Sequence, residues 1–351
     1  MSQTNLLIRF RKWLVIAIAF GAMLYLGGSI YADWDKVTAA VTEFNWWILI
    51  PVCSLTLVNY FLRFLKWRYL TRRLGVRMSF TEDAWNFASG LAMIISPGKV
   101  GELLKPYVVR ERTGVPMSVT TPALVTERLT DAIGMLILAA ISVSVFLPDK
   151  TELLITVGAV VGFGLLLLAH EGLSLWFVRT ICKLPLLNKV GAKIEEMLVS
   201  MRSCVAPVPL LFTVVLSVIA WWAECWGFLL VFEGLGVETA TMQACIFVYA
   251  FATLSGAISP GGLGLTEVIM AGLSIQFIMP PCGPELTGDA LVACTSNATA
   301  VASAATIIIR ICTLWIGVAI GAVALFKVSN MLGGNITLGS DPTPKPEDGS
   351  A

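Results

Sequence analysis

The sequence predicts an all-α polytopic membrane protein with inverted-topology repeats, each carrying a re-entrant helical hairpin, for about six full spans plus two hairpins. Three observations predict it. The 351 residues are 57% hydrophobic and 13% charged, against roughly 25% charged in soluble domains. Apolar runs at 13–30, 46–62, 153–169, 210–232 and 306–326 reach or approach the roughly 17 to 25 residues a helix needs to cross hydrocarbon. A Ser-Pro-Gly break recurs late in the chain in the same surroundings as an early one.

Arg9, Arg11 and Lys12 precede the first run, as in a secretory signal. The run is long, however, and Ile30-Tyr31-Ala32 lacks the small residue a cleavage site needs two positions upstream, so it reads as a retained anchor. Basic residues then cluster at 63–77, 99–112, 179–202 and Lys327, while the intervening segments keep Lys36 and Lys150. The positive-inside rule puts those clusters and both termini in the cytoplasm, with 33–43 and 148–152 outside and a return at His170. An inner-membrane location is expected. Residues 1–328 form one integral domain, and 329–351, polar and Pro-rich, form a disordered cytoplasmic tail.

Within that domain repeat 1 covers about 46–146 and repeat 2 about 207–327. Leu74-Gly75-Val76 leads through an apolar segment to Ser96-Pro97-Gly98, and Leu235-Gly236-Val237 leads likewise to Ser259-Pro260-Gly261. Gly101-Glu102 follows the first break; Gly264 and Glu267 follow the second. Each copy then enters an apolar helix with one arginine, Arg128 or Arg310, and counting back from the two Leu-Gly-Val glycines matches Arg63 with Glu224. The first Leu-Gly-Val lies beside cytoplasmic basic residues, the second between Glu233 and Glu238, so the copies are inverted. Segments 85–95 and 102–109, and again 246–258 and 265–278, are too short to cross singly and read as hairpins entering from opposite sides.

A helix opening after Pro-Gly aims free N–H groups and partial positive charge at an anion. Lys99 stands there in the first copy, and Gly261, Gly262 and Gly264 leave the second open to close approach. Pro and Gly also turn a hairpin without touching a ligand, and both readings stand. Arg128 and Arg310 sit on apolar helices, where a charge normally faces a partner or a wet cavity. For Arg128 the partners are Glu127 and Asp131 on its own helix face, or a ligand; for Arg310 they are Glu102, Glu224, Glu267 or a ligand. Glu102 and Glu267 either exchange protons or pair permanently with Lys99 and Arg310. Arg63, Lys66, Arg68, Arg72 and Arg73 read as topology determinants and contacts for anionic lipid heads.

No GxxxxGK[ST] loop binds ATP, no GxSxG elbow appears, and the eight cysteines with the single histidine show no metal-ligand spacing. No catalytic residue, metal, cofactor or nucleic-acid partner is expected. Cys53, Cys225, Cys245 and Cys312 read as small hydrophobes, and whether Cys282 and Cys294 are joined is left open.

At these residues the sequence resembles the flippase-like membrane domain that occurs fused to lysylphosphatidylglycerol synthases and also alone. The likeness spans about 10–328 and rests on 59–67 with Leu74-Gly75, on Ser96-Pro97-Gly98-Lys99-Val100-Gly101-Glu102, on Glu127-Arg128-Leu129-Thr130-Asp131, and on Ser259-Pro260-Gly261-Gly262-Leu263-Gly264 with Glu267. It implies translocation of an anionic-headgroup lipid, either a polyprenyl-phosphate-linked sugar or a phospholipid, with functional coupling to a lipid-modifying enzyme. The soluble aminoacyltransferase domain of the fused proteins is absent, so lipid aminoacylation is not implied. The site expected from both lines comprises Ser96, Pro97, Gly98, Lys99, Gly101, Glu102, Glu127, Arg128, Asp131, Glu224, Ser259, Pro260, Gly261, Gly262, Gly264, Glu267 and Arg310. The alternatives are a membrane-embedded glycosyltransferase using outer carboxylates (Asp33, Asp35, Asp149, Glu285) on a polyprenyl-phosphate sugar, and an ion-coupled carrier of a small anion.

Overall fold

The computed structural model describes residues 34–96, 101–146, 152, 159, 191–256 and 259–332. The runs at 13–30 and 153–169, His170 and most of the predicted tail lie outside the described residues, as do Pro97, Gly98 and Lys99 of the expected site. Among the described residues the secondary structure is helical: α1 (Trp34–Glu43), α2 (Leu49–Arg73), α3 (Phe80–Ala92), α4 (Leu104–Thr113), α5 (Met117–Phe146), α6 (Gly191–Val205), α7 (Pro207–Gly234), α8 (Met242–Ser255), α9 (Leu265–Phe277), α10 (Asp289–Arg310) and α11 (Ile316–Met331). A π-helical turn, Ile311–Trp315, joins α10 to α11 without interruption.

Among the described residues, three segments are long and apolar enough to cross a bilayer: Trp46–Arg73, Pro207–Gly234 and Asp289–Met331. The 30 residues of α5 are also long enough, about 45 Å, although the helix carries Glu127, Arg128 and Asp131. The apolar run at 306–326 is only the C-terminal part of a helix that begins at Asp289. Its first half escapes a hydropathy reading because it is rich in Ala, Ser and Thr, small residues that let helices approach closely where apolar burial supplies no drive. Ala300 and Ala304 pack there against Val37 of α1, and Lys36 donates to Ser296 Oγ at 2.8 Å.

α3 and α4, and α8 and α9, are short, 10 to 14 residues or about 15–21 Å each. Each pair is separated by a broken stretch: Met93–Ile95 is 3-10 helix on the first side, Pro260–Gly262 on the second. The two broken tips meet. A β-carbon on Gly261, whose φ is +63°, would lie 3.2 Å from Ile95 Cγ2, and Ile95, Leu263, Leu314 and Val318 close into one apolar cluster.

α2 and α7, packed side by side, end on the same turn. Leu74 and Leu235 cap them, Gly75 and Gly236 take φ of +83° and +74°, and Val76 and Val237 each donate 3.0 Å back to the carbonyls of Thr71 and Phe232. That is the Schellman closure, which favours glycine because a β-carbon is strained in the left-handed region. α3 opens on a capping box between Ser79 and Glu82, and Glu82 also accepts from Arg112 at the end of α4. The Arg112 hydrogen bond holds the Glu82 carboxyl below its ordinary value.

Polar contacts tie the long helices together. Asn59 of α2 donates 2.9 Å to the Ala220 carbonyl of α7, and Tyr60 donates to the Thr313 carbonyl inside the π turn. α10 packs against α9, and α11 against α3. The outward stripe of α7, Leu211, Val215, Trp222 and Trp226, is apolar and exposed, as a face toward hydrocarbon requires. Cys282 and Cys294 are joined in a disulfide, which ties the segment after α9 to the first turns of α10 and closes the question the sequence left open.

Candidate functional site

Inside this apolar shell lies a cavity of about 280 Å³, reached by side chains of α2, α5, α7, α8 and α10 together with the Pro260–Gly262 tip. Of the expected site residues it is lined by Arg128, Asp131, Glu224, Gly261, Gly262 and Arg310. Glu102, Glu127 and Glu267 stand behind the arginines. Arg128 Nε is 3.3 Å from Glu102 Oε2 and its Nη2 2.5 Å from Glu127 Oε1. Arg310 Nε donates 2.6 Å to Glu267 Oε1, and its Nη2 donates 2.8 Å to the Gly261 carbonyl. Glu267 Oε2 also accepts the Gly264 N–H at 2.7 Å, which closes the first turn of α9.

The acid after each broken tip thus pairs with the arginine of the long helix that follows it. Glu102 is paired with Arg128 and Glu267 with Arg310, while Lys99, the other partner expected for Glu102, lies outside the described residues. The other expected residues shape the tips. Ser96 Oγ donates 2.6 Å to the Met93 carbonyl and accepts the Gly101 N–H at 2.9 Å, and Ser259 Oγ donates 3.0 Å to the Gly256 carbonyl. Pro260 belongs to the second tip.

Two cations assigned to topology belong instead to the buried network. Arg63, 4% exposed, lies 3.8 Å from Glu127 and 3.7 Å from Asp131, and fully buried Lys66 donates 2.5 Å to Asp131 and 2.7 Å to Ser217 Oγ. The reason is position: Arg63 lies about 15 Å before the end of α2, too deep for a lipid head. Nearer the surface, Arg68 lies 3.0 Å from Asp83 and Arg73 Nε donates 2.8 Å to the Ser203 carbonyl, and Arg72 and Arg73 are exposed.

Lys105 was not singled out by the sequence, yet it donates 2.5 Å to Glu127 and lies 4.5 Å from the Trp67 ring centroid. The available signal was its setting between Leu104 and the apolar 106–109. For α2 the signal was the spacing of Asn59, Arg63 and Lys66, which puts all three on one helix face. Tyr60, Trp221 and Tyr249 also reach the cavity. Tyr249 donates 2.6 Å to Glu224, which has no cation within 4 Å among the described residues. The network is formally balanced, with Arg63, Lys66, Lys105, Arg128 and Arg310 against Glu102, Glu127, Asp131, Glu224 and Glu267. Balance matters because an unpaired buried ion costs several kcal/mol. The named outer carboxylates that the structure describes, Asp35 and Glu285, are exposed.

Long apolar helices around a charged internal cavity define a multi-pass membrane protein. The chain belongs to the family described as the lysylphosphatidylglycerol synthase TM region, whose model matches residues 12–281. It is similar to a UPF0104 membrane protein of Methanothermobacter thermautotrophicus, 27% identical over 286 residues that cover 75% of this chain and 83% of the relative. No solved structure matches it.

Proposed function

We propose that this protein is a translocator, not an enzyme, and that it moves a lipid with an anionic headgroup between the leaflets of the inner membrane. The observation that carries the reading is the arginine-lined cavity at the meeting point of two broken helix pairs. Charge at membrane depth is costly unless it serves a ligand or pathway, and broken helices at the midplane are where transporters bind. The headgroup enters the cavity between the tips, Arg128 and Arg310 supply positive charge, and the tails stay in hydrocarbon.

The matching Schellman turns at Gly75 and Gly236 and the matching Glu102–Arg128 and Glu267–Arg310 pairs support an inverted repeat whose short helix pairs are re-entrant. The disulfide between Cys282 and Cys294 supports an outer position for that segment, since disulfides persist in oxidising compartments. Exposed Arg72, Arg73 and Arg77 support a cytoplasmic position for the first turn. Both termini are then cytoplasmic. The transfer runs on downhill lipid flux or on protons, and a lipid-modifying enzyme on one side supplies or removes the cargo.

The test is headgroup accessibility in proteoliposomes carrying labelled phosphatidylglycerol, its lysyl form or a polyprenyl-phosphate sugar. Faster transfer of one lipid, abolished by Arg128→Ala, is expected. No transfer of any of them by folded protein would overturn the reading.

A further inference from the structure

One carboxylate of the buried network differs from the other four. Glu102 and Glu127 lie 3.3 and 2.5 Å from Arg128, Asp131 lies 2.5 Å from Lys66, and Glu267 lies 2.6 Å from Arg310. Glu224, 4% exposed in the second half of α7, has no cation within 4 Å among the described residues; the hydrogen bond it accepts comes from the Tyr249 hydroxyl at 2.6 Å. The titratable or charged groups that face it are Tyr60 and Arg63 of α2, Asp131 of α5, Cys225 of its own helix, Tyr249 of α8 and Arg310 of α10. Of these, Arg63 lies within 4 Å of Glu127 and Asp131, Arg310 holds Glu267, and Tyr60 donates to the Thr313 carbonyl. Protonating any of the other four acids strands a cation at contact distance, whereas protonating Glu224 strands none. A phenol serves both states, since it donates to a carboxylate and to the carbonyl oxygen of a carboxylic acid alike. The cavity that Glu224 lines is partly open, which gives water and protons a way in.

We infer that Glu224 is the proton carrier of this protein: its carboxylate takes up one proton when a singly charged anion enters the cavity and gives it up when the anion leaves. The inference rests on the translocator reading and specifies its coupling. Among the described residues, ionised Glu224 makes the buried network neutral, whereas protonated Glu224 leaves one positive charge in excess. An anion of one charge restores neutrality only in the second state. The crossed combinations, an anion beside ionised Glu224 or an empty cavity with the excess cation, each leave a charge uncompensated in a low dielectric. Linkage makes the effect reciprocal, so the anion draws the proton and the proton draws the anion. The O–H bond forms with a proton from water on the acidic side and breaks to water on the alkaline side. Loaded and empty forms then carry the same net charge, and the transfer is electroneutral. Proton exchange thus falls not to Glu102 or Glu267, which are paired with arginines, but to the acid that the repeat matches with Arg63.

The test is transport by the full chain in phosphatidylcholine vesicles holding a trace of labelled phosphatidylglycerol or a labelled polyprenyl-phosphate sugar, each with one phosphodiester charge. An imposed pH gradient should concentrate the label in the leaflet facing the alkaline side, approaching about tenfold for each pH unit. A potassium–valinomycin potential alone should leave the distribution unchanged. Glu224→Gln, fixed in the neutral state, should lose the accumulation while exchange of label between leaflets remains detectable, and Glu224→Asp should restore it. Tyr249→Phe removes the donor to the ionised form and should raise the pH of half-maximal transfer by about one unit; it decides alone if Glu224→Gln does not fold. Wild-type transfer that ignores the gradient overturns the coupling and leaves the translocator standing. Accumulation undiminished in Glu224→Gln, exchange absent from the folded variant, or an unmoved midpoint in Tyr249→Phe also overturns it. No movement of either lipid by folded wild type removes the translocator reading and the coupling together.

Discussion

Lys105 of α4 places its ammonium 2.5 Å from the Glu127 carboxylate of α5, and both side chains are almost completely buried. Removing one partner of such a pair leaves an uncompensated charge and costs about 3–5 kcal/mol. Lys105→Met and Glu127→Gln should each lower the thermal unfolding midpoint in detergent by far more than the double variant does. Additive losses in the double-mutant cycle would show that the two groups do not stabilise each other.

Arg310 is held to α9 by Glu267 and to the second tip by the Gly261 carbonyl. Glu267→Gln keeps the shape of the acid and its capping acceptor while it removes the charge. Transport should fall at least about tenfold, as expected when a charge-assisted hydrogen bond worth about 1.5–3 kcal/mol is lost, with helix content unchanged. Wild-type flux in this variant would place Arg310 outside the translocation step.

The twin turns give a test of backbone strain. Nothing lies within 4 Å of a β-carbon built on Gly75 or Gly236, so alanine there meets only the left-handed conformation. Each substitution should cost about 1–2 kcal/mol, by similar amounts, read from denaturant midpoints. A loss confined to one of them would mean that the two turns carry unequal load.

The disulfide reports topology. An impermeant maleimide applied to intact right-side-out cells should label Cys282 and Cys294 only after reduction by an impermeant phosphine. An engineered cysteine at Arg77 should react only after permeabilisation. Labelling of both segments from the same side would remove the inverted arrangement.

Acid should weaken the cap of α3. The Glu82 carboxyl titrates below its ordinary value of 4.5 because Arg112 donates to its ionised form. A depressed folded-state value means that the contribution is present above 4.5 and is lost as pH falls through the folded value. The pair is partly exposed, so the contribution stays within about 1 kcal/mol. The difference in midpoint between wild type and Glu82→Gln, measured at pH 7 and again at pH 3, should shrink on acidification. A constant difference would assign Glu82 a role independent of its charge.

Much of the architecture was legible from the chain because apolar length, Pro-Gly breaks and Leu-Gly-Val caps are local features. Most of the long helices and the short broken pairs follow from them, whereas the choice of Glu267 among the possible partners of Arg310 came from the structure. Depth was harder to read. Arg63, Lys66 and Lys105 sit in basic stretches that look cytoplasmic, and only helix-face spacing and three-dimensional packing separate them from Arg72 and Arg73, which are exposed. Trp221 was illegible for a related reason, since an indole on an apolar helix has the same sequence signature whether it faces lipid or lines a cavity.

The π turn at Ile311–Trp315 gives one continuous rod two allegiances. Before it, α10 leans on α9 and Arg310 grips the second tip; after it, α11 lies along α3. One rod therefore reaches both broken regions, and the wider helical turn between its halves is of a kind common at functional positions. Under the translocator proposal, a substitution that restores ordinary α-helical winding at that turn should slow transport while it leaves the residues of the cavity in place.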